Sequence, residues 1–167
     1  MDKREFTGFY RKYVKRVYKF VYFRVGSDRR LAEDLTQDVF LKAFQAFERY
    51  DPAISQASWI YTIARNHLIN HYAKSRPGVS LDEVENLGLA AHDGREAMIQ
   101  KHLQTRLFES LEKLPPEDAR LVRMKYLEGW AFDELAEILG KTSGALRVQA
   151  IRALRKLKGQ TDLHDIL

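Results

Sequence analysis

Apolar residues recur every three or four positions along most of this chain, and glycine or proline ends each run. The first run places on one side of a helix Phe6, Phe9, Tyr10, Tyr13, Val17 and Val21. A spacing near 3.6 residues is that of an amphipathic helix, and no segment of useful length alternates apolar and polar residues as a half-buried strand does. The sequence therefore predicts an all-α fold.

The interruptions divide this pattern into helices and domains. After a first helix that stops at Gly26, we expect helices at residues 28–49, 59–74, 95–113, 116–128, 131–139 and 143–158. Ser58 is the expected cap of the third helix. The stretch at 77–94 is acidic, weakly periodic and contains glycine, which is typical of a linker. We thus predict two small helical domains, at 1–76 and 95–160, joined by this flexible linker.

Charge is unevenly distributed along the chain. Its 28 basic and 23 acidic residues give a net charge of +5, but residues 1–24 carry eight bases and two acids, and residues 141–158 carry six bases and no acid. Residues 59–76 hold three bases and no acid, whereas residues 28–51 and 106–140 are net acidic. Basic blocks separated by acidic ones predict several faces with different partners, at least one of them polyanionic.

Missing residue types and missing patterns narrow the possible functions. With no cysteine, the chain has no disulfide, no thiolate nucleophile and no cysteine-ligated metal centre. No apolar stretch resembles a signal peptide or is long enough to span a bilayer. We therefore expect a cytoplasmic protein with no membrane insertion.

The sharpest motif lies at residues 132–147. Phe132, Leu135, Ala136 and Leu139 form one apolar stripe, and Gly140 can adopt the left-handed conformation at the end of a helix. Thr142 or Ser143 can then cap the following helix. A short turn of this kind sets two helices at a steep angle, as in a helix-turn-helix that lays its second helix in the major groove of DNA.

The second helix of this motif has an inner and an outer side. Its inner side is formed by Leu146, Ala150, Ala153, Leu154 and Leu157, and its outer side by Arg147, Val148, Gln149, Ile151, Arg152 and Arg155. Arginine reads guanine or binds phosphate, glutamine reads adenine, and exposed aliphatic groups meet thymine methyls. We favour DNA binding over the alternative, a solvated charged face.

The predicted helix at 28–49 carries a different chemistry. Glu33, Gln37 and Leu41, and also Asp34 and Asp38, recur at four-residue spacing away from the apolar stripe. A solvated face is the simplest interpretation of these acids, a surface for a protein partner the second, and a metal or acid–base site a distant third.

The predicted third helix and the loop before it lack acids after Asp51 and mix aromatic, basic and amide groups, namely Trp59, Tyr61, Thr62, Arg65, Asn66 and Asn70. Such a mixture suits single-stranded nucleic acid, whose bases stack on rings. Half-buried packing of Trp59 and Tyr61 is nearly as plausible. His67 and His71 lie on the apolar side with no evident third ligand, so we interpret them as packing residues rather than a metal site.

Three segments together resemble a bacterial RNA polymerase sigma factor of the compact extracytoplasmic-function type. Residues 32–44 resemble conserved region 2.2, and residues 59–66 are similar to regions 2.3 and 2.4. Residues 114–117, together with residues 126–140 and the helix that follows, resemble region 4. The resemblance covers nearly the whole chain, in the order that the family has.

The resemblance implies a function and a set of sites. The chain would bind core RNA polymerase, at the β′ clamp helices and the β flap, and direct promoter-specific initiation, while the polymerase supplies the catalysis. It implies no catalytic residue, metal or cofactor. The residues implied to bind the core enzyme are Asp34, Gln37, Asp38, Phe40 and Leu41.

The resemblance also divides DNA recognition between the two domains. In the family, the loop at 51–58 captures a base flipped from the −10 element. The implied −10 residues are Ser55, Gln56, Ser58, Trp59, Tyr61, Arg65, Asn66 and Asn70. The implied −35 residues are Thr142, Ser143 and Gly144, near phosphates at the helix N-terminus, and Arg147, Val148, Gln149, Ile151 and Arg152. An anti-sigma factor is a further implied partner.

Some residues depart from the family pattern. The family often has an aromatic residue at Ala57 and aspartate at Asn70, and its recognition helix commonly has Lys or Arg, Ser and Arg where this chain has Arg147, Val148 and Gln149. We therefore expect a −35 specificity that differs from that of the commonest members.

Two other classes of function stay open from the residues alone. A self-contained helix-turn-helix regulator would bind duplex DNA without polymerase. A metal-dependent nuclease would need Asp34, Asp38 and a histidine to converge.

Overall fold

The structure, a computed structural model, describes residues 3–75, 77, 78, 80, 83 and 98–160. Within these ranges the chain is helical and contains no strand. The helices are α1 (Lys3–Arg24), α2 (Arg29–Ala46), α3 (Gln56–Ser75), α4 (Met98–Glu112), α5 (Pro116–Val122), α6 (Phe132–Leu139) and α7 (Ser143–Gln160). A short 3-10 turn (Phe47–Arg49) extends α2, and a π-helical turn (Arg123–Glu128) extends α5. The predicted all-α fold is confirmed.

The N-terminal bundle consists of α1, α2 and α3, each in contact with the other two. Gly26 and Ser27 adopt left-handed conformations after α1, and the Asp28 carboxylate accepts a 3.1 Å hydrogen bond from the backbone N–H of Leu31. This stop and cap agree with the sequence prediction. The buried side of α1 carries three aromatic rings, those of Phe9, Tyr13 and Phe20, which fill much of the space against α2 and α3.

The start of α3 corrects one prediction. The helix begins at Gln56 rather than Trp59, and Ser55 caps it, because the Ser55 hydroxyl accepts a 3.1 Å hydrogen bond from the backbone N–H of Ser58. Ser58 therefore lies inside the first turn of α3. Two serines three residues apart offer the same capping chemistry, and the sequence pattern did not distinguish them.

The C-terminal bundle is built on α5, α6 and α7. Gly129 and Gly140 both have left-handed φ angles, of 88° and 64°, and they end the π-helical turn and α6. Thr142 caps α7, since its hydroxyl accepts a 3.2 Å hydrogen bond from the backbone N–H of Ala145. Leu135 and Leu146 are buried between α6 and α7. The predicted helix-turn-helix is thus present.

The two bundles pack against each other through one continuous core. The π-helical turn contacts α1, and α6 contacts α3. Trp130 is fully buried, with its ring centroid 6.2 Å from that of Tyr13 and 6.0 Å from that of Tyr61. Most of the linker that we expect at 77–94 lies outside the described residues.

Candidate nucleic-acid and protein interfaces

The outer side of α7 is free of the core, as the sequence predicted. Val148 and Ile151 are 48% and 50% exposed, and Arg147, Arg152 and Arg155 are also exposed. Leu154, which we expected to face inward, is 38% exposed because it lies at the edge of the buried stripe of Leu146, Ala150 and Ala153. This helix therefore presents cations and aliphatic groups together, as a major-groove reader does.

Gln149 is held by neighbouring side chains of its own bundle. Its amide nitrogen donates a 2.9 Å hydrogen bond to Asp118 Oδ1, and the Nζ of Lys141 lies 3.4 Å from its Oε1. The Lys156 ammonium donates to Asp118 Oδ2 at 3.0 Å. Burial alone would raise the pKa of Asp118, but the hydrogen bonds from Gln149 and Lys156 outweigh it, and the pKa lies below its usual value. Asp118 is a residue that the sequence reading missed.

The first residues of α7 are partly engaged inside the motif. The Ser143 hydroxyl donates a 2.5 Å hydrogen bond to Asp133 of α6, while Thr142 serves as the cap. Gly144 is exposed, and a Cβ there would meet nothing within 4 Å. The helix N-terminus is therefore accessible to a phosphate at Gly144.

The loop before α3 is tightly folded. The Asp51 carboxylate accepts a 2.9 Å hydrogen bond from the backbone N–H of Ala53, and the Tyr50 hydroxyl donates to the carbonyl of Ile54. Such an Asx turn fixes the loop without any regular secondary structure. The loop's exposed positions include Pro52 and Ile54, and Ser55, Gln56 and Ser58 are half-buried at its end.

Trp59 lies at the end of an aromatic cluster rather than standing free. Its ring centroid is 4.8 Å from that of Tyr50, 5.6 Å from that of Phe9 and 6.1 Å from that of Phe47. The side chain is half-buried. Trp59 is thus held in place by the rings of Phe9, Phe47 and Tyr50, and part of its side chain remains accessible.

The remaining residues implied for −10 recognition fall into two groups along α3. Asn66 and Asn70 are exposed one turn apart, together with Thr62. Tyr61, in contrast, is only 4% exposed, because Phe20 and Trp130 cover its ring, and its hydroxyl accepts a 3.1 Å hydrogen bond from Arg120. Arg65 is half-buried. In this arrangement Tyr61 is therefore closed to nucleic acid by residues of the C-terminal bundle.

The acidic face of α2 is solvent-exposed. Asp34, Gln37, Asp38 and Leu41 are all exposed, and Leu41 is 55% exposed despite being apolar. Phe40 is instead buried, with its ring 4.8 Å from Tyr10 and 6.3 Å from Phe9. Its side chain supports α1 and is not available to a partner in this structure.

Phe44, in contrast to Phe40, lies on the exposed side of α2. It is 47% exposed one turn along from Leu41, and its ring touches Phe6 of α1 at 5.0 Å. Phe44 is not among the residues that the resemblance implied for core binding. Exposed apolar side chains beside carboxylates are typical of a surface that a protein partner covers.

His67 connects this face to α3. Its Nε2 lies 3.4 Å from Asp38, and the Lys42 ammonium is 2.8 Å from its Nδ1. Burial chiefly lowers the pKa of His67, Lys42 lowers it further, and Asp38 acts in the opposite direction. Within the part of the chain that the structure describes, no group of three or more His, Asp or Glu side chains could hold a metal ion.

None of the helices, over the residues that are described, is both long and apolar enough to cross a membrane.

Comparison with known proteins matches both bundles to one family. Residues 9–77 match the model for Sigma-70 region 2, and residues 104–157 match that for Sigma-70, region 4. A solved structure of the sigma factor RpoE in complex with the anti-sigma factor NepR from Bartonella quintana has a similar fold. Its TM-score is 0.57 at 20% identity, and the match covers 95% of this chain and 99% of that one.

Two relatives that are similar in sequence are also sigma factors. The chain is 28% identical to the ECF RNA polymerase sigma factor BldN of Streptomyces coelicolor, over 91% of this chain and 58% of BldN. It is 32% identical to the ECF RNA polymerase sigma factor SigD of Mycobacterium tuberculosis, over 82% of this chain and 68% of SigD. The chain therefore belongs to the extracytoplasmic-function family of RNA polymerase sigma factors.

Proposed function

We propose that this sigma factor binds core RNA polymerase and recognises promoters with its two bundles in separate roles. The C-terminal bundle reads the −35 element as duplex, and the N-terminal bundle captures the −10 element as melted DNA. The observation that carries the first role is the outer side of α7, where three arginines and two exposed aliphatic side chains form one face.

Each residue of α7 has a role in this proposal. Arg147 and Arg152 contact guanine edges or phosphates, and Val148 and Ile151 meet thymine methyls. Gln149 reads a base with an amide whose orientation Asp118 sets. Thr142, Ser143 and Gly144 lie near the phosphates at the helix N-terminus. Lys141 and Lys156 line one surface groove together with Val148, Gln149 and Arg152, so phosphate binding also contributes to affinity.

The −10 role rests on the loop at 51–58 and on α3. A flipped base stacks at Trp59, and its edge meets Ser55, Gln56 and Ser58 at the start of the helix. Asn66 and Asn70 follow the strand along α3, with Arg65 beside them, whereas the buried Tyr61 supports this face of α3 from below. Unstacking a base costs a few kcal/mol, which these contacts offset.

Core polymerase binds the exposed face of α2. Asp34, Gln37, Asp38 and Leu41 contact the β′ clamp helices, and the C-terminal bundle contacts the β flap. Phe40 acts indirectly by positioning α1, and Phe44 extends the apolar part of the face. RpoE is solved with an anti-sigma factor, and we propose a partner of that class for this chain also.

The alternative is a helix-turn-helix regulator that binds duplex DNA without polymerase. Selection from a random duplex library, with the chain alone and with the chain plus core polymerase, separates the two. We expect two enriched blocks at a fixed spacing, and only when core polymerase is present. Enrichment of the same single motif by the free chain would support the regulator and contradict the proposal.

A further inference from the structure

Asp118 of α5 bridges two side chains of α7. Its Oδ1 accepts a 2.9 Å hydrogen bond from Nε2 of Gln149, and its Oδ2 accepts a 3.0 Å hydrogen bond from the ammonium of Lys156. Gln149 and Lys156 are separated by about two turns of α7, or about 10.5 Å along its axis, and lie on the same side of the helix. Because Asp118 is buried, its carboxylate belongs to the packing of α5 against α7 and is not a solvated surface acid.

The Gln149 amide lies between a group that only accepts hydrogen bonds and a group that only donates them. The ionised carboxylate of Asp118 accepts, and the ammonium of Lys141 donates. The Nζ of Lys141 lies 3.4 Å from Oε1 of Gln149, and Glu117 holds it at 2.8 Å. Turning the amide over would place Oε1 against the carboxylate and Nε2 against the ammonium. Both neighbours therefore favour one orientation, with the NH2 group toward Asp118 and the carbonyl oxygen toward the exposed Lys141.

This orientation leaves the carbonyl oxygen of Gln149 for a base. Its contact with Lys141 is longer than the roughly 3 Å of a common N–H···O hydrogen bond, so a stronger donor can replace it. Gly144, Val148 and Arg152 line the same groove. In the major groove, adenine N6 and cytosine N4 are donors, whereas guanine O6 and thymine O4 are acceptors. A fixed carbonyl oxygen therefore pairs with adenine or cytosine and repels the oxygen of guanine or thymine.

A glutamine without these neighbours discriminates less. Its amide turns over freely, so it binds amino groups through Oε1 and carbonyl groups through Nε2 with similar ease. Holding one orientation before DNA binds removes the second mode and the entropy cost of choosing between them. Specificity is a difference between two affinities, and Asp118 lowers the affinity for the wrong bases.

We propose that Asp118 is a positioning residue for −35 recognition, which holds Gln149 so that the chain selects a base with a major-groove amino group, adenine or cytosine, at one position. Glu117 and Lys141 support the same orientation from the oxygen side. The inference rests on the proposed function, because it takes α7 as the helix that reads the −35 element.

The test is promoter selection with the full chain and core polymerase, from a library that carries all four bases at every −35 position. Gln149→Ala identifies the position that residue 149 reads, as the one whose preference changes. Asp118→Asn keeps the size of the side chain but both donates and accepts, so it no longer fixes the amide. The matched control is Glu117→Gln, which removes the same charge from the neighbouring residue, whose carboxylate pairs with Lys141.

We expect the parent and Glu117→Gln to prefer adenine or cytosine at this position. Asp118→Asn should lose about fivefold of that preference, the effect of one hydrogen bond, while use of the best promoter stays within about twofold of the parent. In a Gln149→Ala background, Asp118→Asn should change no preference, because the residue it positions is gone.

A purely structural role of Asp118 would lower the use of every promoter by one factor and leave the preferences intact, and this result would overturn the inference. Selection of guanine or thymine by the parent, or an unchanged preference in Gln149→Ala, would overturn it as well. If the parent with core polymerase selects no −35 motif at all, the proposed function itself is refuted, and the inference with it.

Discussion

Arg24 and Glu128 form a salt bridge of 2.6 Å between the two bundles, and both side chains are fully buried. Arg24 also donates to the carbonyl of Phe20, and Trp130 donates to the second oxygen of Glu128 at 3.0 Å. The Glu128 carboxylate therefore links Arg24 of α1 to Trp130, whose side chain is buried in the core that the two bundles share. Arg24 and Glu128 are 104 positions apart in the sequence, and each provides the counter-charge that allows the other to be buried.

Replacing Glu128 with alanine should destabilise the folded chain by about 3–5 kcal/mol, since it leaves Arg24 buried without a counter-charge. The double variant Arg24→Met with Glu128→Leu should lose less than the sum of the two single losses. Urea unfolding followed by circular dichroism measures both. The exposed Glu117→Ala, which removes an ion pair with Lys141, should leave the midpoint nearly unchanged. A loss below about 1 kcal/mol for Glu128→Ala would contradict the role of the pair.

Arg152→Ala should weaken promoter use through the −35 element by about 1–3 kcal/mol and relax base preference at one position. Lys158→Ala, near the end of the same helix, is the matched control. It should weaken promoter use slightly and by the same factor for every −35 sequence. Transcription from promoters with single −35 substitutions measures the preference. An unchanged preference profile in Arg152→Ala would show that this arginine reads no base.

Asp38→Ala should weaken binding to core polymerase while the −35 preference of the chain stays as it was. Asp38 is exposed on α2 and distant in sequence from α7, so its loss should not disturb DNA reading. Glu48→Ala, an exposed acid outside the proposed docking face, is the control. Fluorescence anisotropy of the labelled chain titrated with core enzyme gives the affinities of the parent, Asp38→Ala and Glu48→Ala. Equal affinities for Asp38→Ala and the parent would refute the docking assignment.

Lys42→Met should raise the pKa of His67, because Lys42 is the second cause that lowers it after burial. NMR titration of the imidazole measures the pKa of His67. Lys15→Met on α1 is the control, in which this pKa should stay unchanged. The pKa of His67 in the folded chain lies below the 6.5 of an exposed histidine, so the unfolded chain binds the proton more readily. Stability should therefore fall as the pH drops from 6.5 toward the folded value. A pKa of His67 that falls in Lys42→Met would contradict the assigned cause.

Local features of the fold could be predicted from the sequence, whereas contacts between distant segments could not. Gly140 and the stripe from Phe132 to Leu139 define the helix-turn-helix, because capping and periodicity act within a few residues. The burial of Tyr61 depends on Trp130, and nothing in the pattern of α3 reports that partner. The same holds for Phe40 and Phe44, whose exposure depends on where α1 crosses α2.

The basic block of α1 also combines a local feature that the sequence predicts with distant contacts that it does not. Its eight cations were evident in the sequence, but their partners were not, and the structure assigns two of them to acids of the C-terminal bundle. An excess of charge can be read from composition, while the surface that neutralises it depends on the fold.

Start-site mapping of transcripts made by purified core polymerase on a promoter library tests the central claim most directly. Core polymerase plus this chain should start at a small set of sites that share one −35 and one −10 sequence, and core polymerase alone should not use them. Transcripts that start at the same positions with and without the chain would contradict its assignment as a promoter-specificity subunit.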